Sequence, residues 1–297
     1  MSEEASGVNS MILSGNFPAM NGGTETVHLR LREEPILPLE AEALSPDVIG
    51  GLCREDIMRL PVFLGNRQYQ LSDFFDVEGE KSRSLELHGN LAKIKWIGHR
   101  MTGGSIVIHG SAGMHLGSAM SGGSIIVHGS ASDWVGAEMH GGVIRIHGDA
   151  GGQVGAAYRG SRKGMRGGAI LIDGAAGIEI AMRMRRGLIC IKGRVGDFAG
   201  IQMSGGTLLL GGKAGLRTGA WMSRGTIVAL ESIKLLPTFI YSCTYAPTYL
   251  LLLARQLQDL GAQVLPQSWN GSVKCYRGDT SGLGKGEILV CAPNSPQ

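Results

Sequence analysis

Seven methionines recur at a near-constant spacing through the middle of the chain, and this period limits what the chain can fold into. They are Met101, Met120, Met139, Met165, Met184, Met203 and Met222. Five of the six intervals are 19 residues, and the sixth is 26, which is one period plus a seven-residue insertion. A fixed period with a fixed phase indicates a repeat architecture.

The repeats share the pattern x-G-G-x-I-x-I-x-G-x-A-G-x-x-x-G-x-x-M. Branched apolar residues alternate within it, as at Ile106 and Ile108, which predicts a short strand with one buried face. A second, weaker strand is predicted at Met114 to Leu116. One unit cannot bury its own apolar side, so the units must stack.

We therefore predict an all-β fold, a right-handed β-helix (solenoid) of about seven coils. A left-handed hexapeptide helix is disfavoured because its subrepeat would give 18 residues per coil. A column of small residues should line an inner corner, and the methionines should fill the wider end of each coil. The small column comprises Ala112, Ala131, Ala150, Ala176, Val195 and Ala214.

The chain divides into three predicted regions: an N-terminal tail and cap (1–80), the repeat domain (81–231), and a C-terminal helix with strands packed on the rod (232–297). In the first region we predict a loose tail over residues 1 to 25, then a strand from Thr26 to Leu31 and a short helix capped by Ser45. This region should cover one end of the rod, since an uncapped stack would expose unpaired strand edges.

The third region carries an amphipathic pattern from Thr248 to Leu260, closed by Gly261, which predicts one helix. Two strands should follow, from Val273 to Arg277 and from Glu287 to Cys291. The leucines of the helix suit docking on the rod.

Composition narrows the class of protein. The net charge of +3 is too mild to indicate nucleic-acid binding. There is no run of 18 apolar residues, which argues against a membrane span, and we expect no secretory signal. Five cysteines without a CxxC spacing predict reduced thiols in a cytoplasmic protein.

No familiar catalytic motif is present, and we expect neither a catalytic residue nor a metal in this chain. One column of polar residues is nevertheless a candidate site, because its side chains should point outward and most of them are imidazoles. It consists of His88, His109, His128 and His147, followed by Asp173 and Lys192. Stacked imidazoles could bind a metal. The preferred interpretation is a ladder of like side chains.

The outward position between the two buried strand residues is mostly apolar. It holds Val107, Ile126, Arg145, Leu171, Cys190, Leu209 and Val228. An apolar stripe of this length predicts a cover, for which the C-terminal helix and a second polypeptide of a complex are the candidates.

Positive charge is concentrated around the insertion. Between Arg159 and Arg194 there are nine basic residues and two acidic ones. The coil register predicts that seven of the cations converge on one corner, where their repulsion favours binding of an anion or an acidic tail. The cations could instead form an interface with another polypeptide, or a solvated charged surface without a binding role. The seven are Arg159, Arg162, Lys163, Arg166, Arg183, Arg185 and Arg186.

Several segments resemble the C subunit of formylmethanofuran dehydrogenase and the C subunit of the bacterial formyltransferase/hydrolase complex. They are the glycine-repeat coils, FFDVEG (Phe74 to Gly79), the YRGSRKGM insertion, LPTF (Leu236 to Phe239), YRGD (Tyr276 to Asp279) and GKGEIL (Gly284 to Leu289). The coils are also similar to the C-terminal domain of glutamate synthase, whereas the C-terminal segments point to the one-carbon family.

This resemblance implies a component of a cytoplasmic complex that handles a formylated furan carrier (methanofuran or methylofuran) with a glutamate tail. Partner subunits would be a formyltransferase, which uses tetrahydromethanopterin, an amidohydrolase-type subunit and a molybdopterin-enzyme-like subunit. The C subunit itself is not expected to break bonds. No catalytic residue carries over.

Three functions remain open. The first is a structural subunit whose basic corner holds the carrier's acidic tail, with the bacterial complex favoured over the tungsten or molybdenum dehydrogenase. The second is a self-contained solenoid acyltransferase that would use the histidine column. The third is a glutamate synthase-like β-helix spacer between catalytic domains.

Overall fold

The computed structural model describes residues 26–265 and 271–291, so the tail predicted for residues 1 to 25 lies outside the described residues. The helices are α1 (Pro46–Ile49), α2 (Arg54–Met58) and α3 (Tyr249–Asp259), with a 3-10 turn at Leu71–Asp73. The strands are β1 (Val27–Leu31), β2 (Leu39–Glu40), β3 (Pro61–Leu64), β4 (Arg67–Gln70), β5 (Phe75–Glu78), β6 (Ser84–His88), β7 (Ile94–Lys95), β8 (Ser105–His109), β9 (Ser124–Val127), β10 (Val143–Ile146), β11 (Arg166–Ile172), β12 (Arg186–Ile191), β13 (Ser204–Leu210), β14 (Arg224–Ala229), β15 (Ile240–Tyr245), β16 (Val273–Gly278) and β17 (Lys285–Cys291).

Strands from successive repeats lie side by side and parallel in one large sheet, in the order β15-β16-β17-β14-β13-β12-β11-β10-β9-β8-β6-β1-β5. The register advances by one repeat at each step, so that Ile106 pairs with Ile125 and Ile125 with Ile144. The small residues form a second column of parallel bridges, from Leu91 through Ala112 to Ala214. Each repeat thus contributes one rung to both columns, and the all-β prediction is confirmed.

The period of the methionines has a direct packing cause. All seven are completely buried, and each methyl group lies over a glycine of the next rung. At Gly123, which has a φ of 82°, an added Cβ would lie 2.5 Å from the Met101 methyl carbon. Met120 approaches Gly142 in the same way, and Met139 approaches Gly168 across the insertion. A side chain at these glycines would displace the methionine or the backbone beside it.

One local prediction was wrong, and a second is confirmed only in part. No strand forms at Met114 to Leu116, because this segment belongs to a turn (114–119) in which His115, Gly117 and Ala119 all have positive φ. Ser45 does sit at the N-cap of α1, but its side chain makes no capping hydrogen bond. The helix predicted from Thr248 to Leu260 is confirmed as α3, and the two C-terminal strands are confirmed as β16 and β17.

Both ends of the large sheet turn from parallel to antiparallel pairing. Strand β1 extends the sheet beside β6, and β5 then pairs antiparallel with β1. At the other end β17 lies parallel to β14, and β16 and β15 follow antiparallel. A separate small sheet has the order β4-β3-β2-β7. Within the part of the chain that is described, no helix is both long and apolar enough to span a membrane.

Helix α3 covers one half of the outward apolar stripe. Its buried leucines form a single apolar cluster with Leu171, Cys190, Leu209 and Val228. The exception in the stripe, Arg145, is also buried, and its guanidinium donates to the carbonyl oxygen of Leu260 at 3.1 Å, just beyond the end of α3. Val107 and Ile126, in the other half, remain partly exposed.

We expect Leu257→Ala to lower the free energy of unfolding by about 2–5 kcal/mol, because Leu257 is completely buried between α3 and the stripe. The matched control is Leu252→Ala on the same helix, where the side chain is 66% exposed and the expected change is within about 0.5 kcal/mol. Urea unfolding followed by circular dichroism measures both. Equal effects would mean that α3 is not held by this face.

Candidate functional site

The start of strands β11 and β12 brings part of the basic cluster together. Arg166 and Arg186 are paired across these parallel strands, and Arg185 directly precedes Arg186. The insertion joins the same corner, because the Arg183 guanidinium donates to the carbonyl oxygen of Ser161 and the Gly164 amide donates to the Arg183 carbonyl at 2.9 Å. Arg183 also donates to Gln202 Oε1 at 2.7 Å.

The remaining cations of the cluster, Arg159, Arg162 and Lys163, are exposed on the insertion itself. Their position at this corner follows from Ser161, which lies between them in sequence. Lys192 and Arg194 do not belong to the corner, because they follow the opposite end of β12 from Arg185 and Arg186.

The seven cations of the basic corner (Arg159, Arg162, Lys163, Arg166, Arg183, Arg185 and Arg186) are uncompensated. Among the described residues none of them forms an ion pair within 4.0 Å. The Nε atom of Arg166 is buried and has no hydrogen-bond partner. The carboxylate of Glu138, in the preceding coil, instead accepts the amide of Tyr158 at the start of the insertion at 3.2 Å. Concentrated positive charge of this kind attracts anions.

The histidine column forms a continuous outward stack. The ring centroids are 5.8 Å apart from His28 to His88, 4.6 Å from His88 to His109, 5.2 Å to His128 and 5.5 Å to His147, and neighbouring rings are inclined by 25° or less. The ladder geometry is therefore present, and it gains one member, His28, that lies before the repeats.

Asp173 ends the stack as an electrostatic anchor. Its carboxylate lies 2.6 Å from Lys192 Nζ, 2.8 Å from His147 Nδ1 and 3.0 Å from Arg145 Nη2. Partial burial acts to raise the pKa of Asp173, but the hydrogen bonds from Lys192 and His147 and the charge of Arg145 outweigh it, so the pKa lies below its usual value. The anchor connects the stack, the stripe and the end of α3.

A second aromatic stack was not predicted from the sequence. Trp96 and His115 are parallel with centroids 4.1 Å apart, and Trp134 stacks on Tyr158 at 5.0 Å. Tyr158, the first residue of the YRGSRKGM insertion, places its hydroxyl 2.9 Å from His115 Nδ1. The signal was available, since Trp96, His115 and Trp134 each lie five residues before a periodic methionine.

This aromatic stack controls the charge of His115. Burial, aided by the charge of Lys95, lowers the pKa of His115 to about 4, and burial raises the pKa of Tyr158 to about 12. Both groups are therefore neutral near pH 7, and the side-chain contact between Tyr158 and His115 holds the insertion against the coils without an ion pair.

We expect Tyr158→Ala to raise the pKa of His115 from about 4 toward its ordinary 6.5, because the ring that excludes water is removed. Tyr158→Phe is the control: it keeps the ring and should keep the pKa low. Histidine-ring NMR titration measures both.

The sign of the accompanying stability change follows from the lowered pKa. The unfolded chain takes up the proton first, so folding stability should decline as the pH falls from about 6.5 to about 4. The decline attributable to His115 should be smaller in Tyr158→Ala. An unchanged pKa in that variant would contradict burial as the cause.

Comparison with known proteins finds relatives by sequence and a solved structure with a similar fold. No family model matches the chain. The chain is 40% identical to the C subunit of molybdenum-containing formylmethanofuran dehydrogenase 1 of Methanosarcina barkeri over an aligned segment of 120 residues. This segment covers 38% of this chain and 40% of that protein. It is 41% identical to the C subunit of tungsten-containing formylmethanofuran dehydrogenase 2 of Methanothermobacter wolfeii over an aligned segment of 92 residues. This segment covers 29% of this chain and 34% of that protein. The chain thus spans less than half the length of these curated relatives.

A solved structure matches over a much longer range. It is the X-ray crystal structure of the formyltransferase/hydrolase complex (FhcABCD) from Methylorubrum extorquens in complex with methylofuran. The match has a TM-score of 0.84 and 35% identity, and covers 90% of this chain and all of the matched chain.

Proposed function

Because the chain belongs to the family of C subunits of formylmethanofuran dehydrogenases and formyltransferase/hydrolase complexes, we propose that it is the non-catalytic, structural C subunit of a cytoplasmic formyltransferase/hydrolase complex. The complex would serve tetrahydromethanopterin-linked one-carbon metabolism, in which formaldehyde is oxidised to formate. The observation that carries this proposal is the likeness to a chain of the Methylorubrum extorquens complex along that chain's whole length.

The second candidate is the C subunit of a tungsten or molybdenum formylmethanofuran dehydrogenase, which the names of the curated relatives favour. The extent of the structural match supports the formyltransferase/hydrolase complex as the first candidate. The dehydrogenase subunits match 38% of the chain or less in these two cases, whereas the chain from the formyltransferase/hydrolase complex matches 90%.

Docking of partner subunits is supported by two surfaces that the chain leaves open. Strand β15 is exposed at every residue and forms one edge of the large sheet, and an open strand edge readily pairs with another chain. The part of the apolar stripe at Val107 and Ile126 is not buried by α3. The proposed partners are the formyltransferase, amidohydrolase-type and molybdopterin-enzyme-like subunits.

The basic corner would hold the polyglutamate tail of a methylofuran-type carrier. Its cations lack carboxylate partners among the described residues, and a flexible chain of glutamates supplies carboxylates at a repeating distance. A tail held by its base would let the furan end move between the catalytic subunits. Tethering raises the effective concentration of the formyl group at each site.

We expect the purified complex to lose bound carrier when Arg162, Lys163, Arg185 and Arg186 are all replaced by serine, because four of the charges that attract the tail are removed. Carrier released by denaturation is quantified by mass spectrometry. The control replaces Arg59, Arg67, Lys213 and Lys234, which are also exposed and carry the same total charge but lie on other segments.

The outcomes separate the parts of the proposal. Loss of carrier with all subunits retained supports the tether. Carrier retained at the wild-type level rules the tether out and leaves the structural role standing. Co-purification with an amidotransferase instead of a formyltransferase would favour the glutamate synthase-like spacer, and formyl transfer by the isolated chain would contradict the non-catalytic assignment.

A further inference from the structure

The N-terminal strand brings a histidine to the first coil that no repeat supplies. Strand β1 lies parallel to β6, with His28 directly opposite Glu86. His88 follows Glu86 by two residues, and side chains two residues apart on a strand lie on the same face. Three potential metal-binding side chains therefore share one patch on the outer face of the junction between β1 and β6.

The ligand atoms of these side chains form a nearly equilateral triangle. His28 Nδ1 lies 3.6 Å from Glu86 Oε2 and 3.5 Å from His88 Nε2, and the third side, from His88 Nε2 to Glu86 Oε2, is 3.7 Å. A point equidistant from the three atoms lies about 2.1 Å from each, which is the length of a bond from Zn²⁺ to a histidine nitrogen or carboxylate oxygen.

We propose that His28, Glu86 and His88 bind one divalent transition-metal ion of the Zn²⁺ class. Two imidazole nitrogens and one carboxylate oxygen suit a borderline cation and leave a fourth position for water or a fourth ligand. The side chains are 43%, 18% and 27% exposed, respectively, so an ion can reach them from solvent while the strands hold their backbones in place.

The surroundings prepare the site for a cation. His109 Nε2 lies 3.1 Å from Glu86 Oε2, where it can orient the carboxylate. Elsewhere in the column His128 has the same stacked geometry, and no carboxylate–histidine contact is found for it among the described residues.

The site would link two parts of the fold. His28 belongs to the strand that begins the described chain, whereas Glu86 and His88 belong to the strand on which the repeats start. An ion bound by both strands stabilises only the state in which they are paired, so binding adds to the stability of this end of the rod.

The test measures metal binding by the full-length chain, prepared without an affinity tag, treated with EDTA and dialysed. Calorimetry follows the titration with Zn²⁺, and visible absorption follows the titration with Co²⁺. We expect one ion per chain and an absorption spectrum typical of four-coordinate Co²⁺. His28→Ala and His88→Ala should each raise the Kd for Zn²⁺ by at least about tenfold, since each removes a direct ligand.

Two further variants make the test specific. Glu86→Gln keeps the size of the side chain and should weaken binding, which covers the case in which a histidine variant does not fold. His128→Ala removes a member of the same imidazole stack and should leave stoichiometry and Kd unchanged. Circular dichroism establishes that each variant is folded before titration.

The proposal is overturned if the wild-type chain binds no ion, or if His28→Ala, His88→Ala and Glu86→Gln all bind as the wild type does. It is also overturned if His128→Ala weakens binding as much as His88→Ala, because the ions would then be held by the stack as a whole. None of these outcomes bears on the proposed function, which depends on subunits and carrier that the titration does not contain.

Discussion

The contact of each methionine methyl group with a glycine of the following rung is the constraint on which the architecture depends. Seven methionines are completely buried, and each occupies space that a Cβ on the next rung would need. The strand residues could pack in other registers, since many are isoleucine or leucine. A methionine over a glycine fits in one register only, so this contact sets the phase of every coil and hence the columns in which functional side chains are aligned.

Arg145 shows how the same alignment accommodates a charged residue in an apolar stripe. Its guanidinium donates to the Leu260 carbonyl and to both carboxylate oxygens of Asp173, so the buried charge is paired and hydrogen-bonded. The end of α3 is thereby placed where the stripe changes from covered to open. The surface left at Val107 and Ile126 is a consequence of where this helix stops.

The period was sufficient to predict the main strand of each repeat and the columns, because buried branched residues at alternate positions allow few other structures. The C-terminal helix followed from a separate amphipathic pattern. The turn at His115 could not be predicted in this way. Its positive φ is adopted by a residue other than glycine, so the usual signal for a left-handed turn is missing and an alternating pattern is mistaken for a strand.

Convergence of Arg166 with Arg186 followed from the register, whereas the contact from Arg183 to Ser161 depends on how the insertion folds. The triangle at His28, Glu86 and His88 depends on pairing of strands distant in sequence, which no local pattern reports.

The insertion between Met139 and Met165 leaves the packing of the coils intact, since Met139 still lies over Gly168. The length of the loop at this corner is therefore independent of the core. The seven extra residues lie there without shifting the paired columns on either side. A fold of stacked repeats can therefore vary the length of one loop while the paired columns on either side of it stay in register.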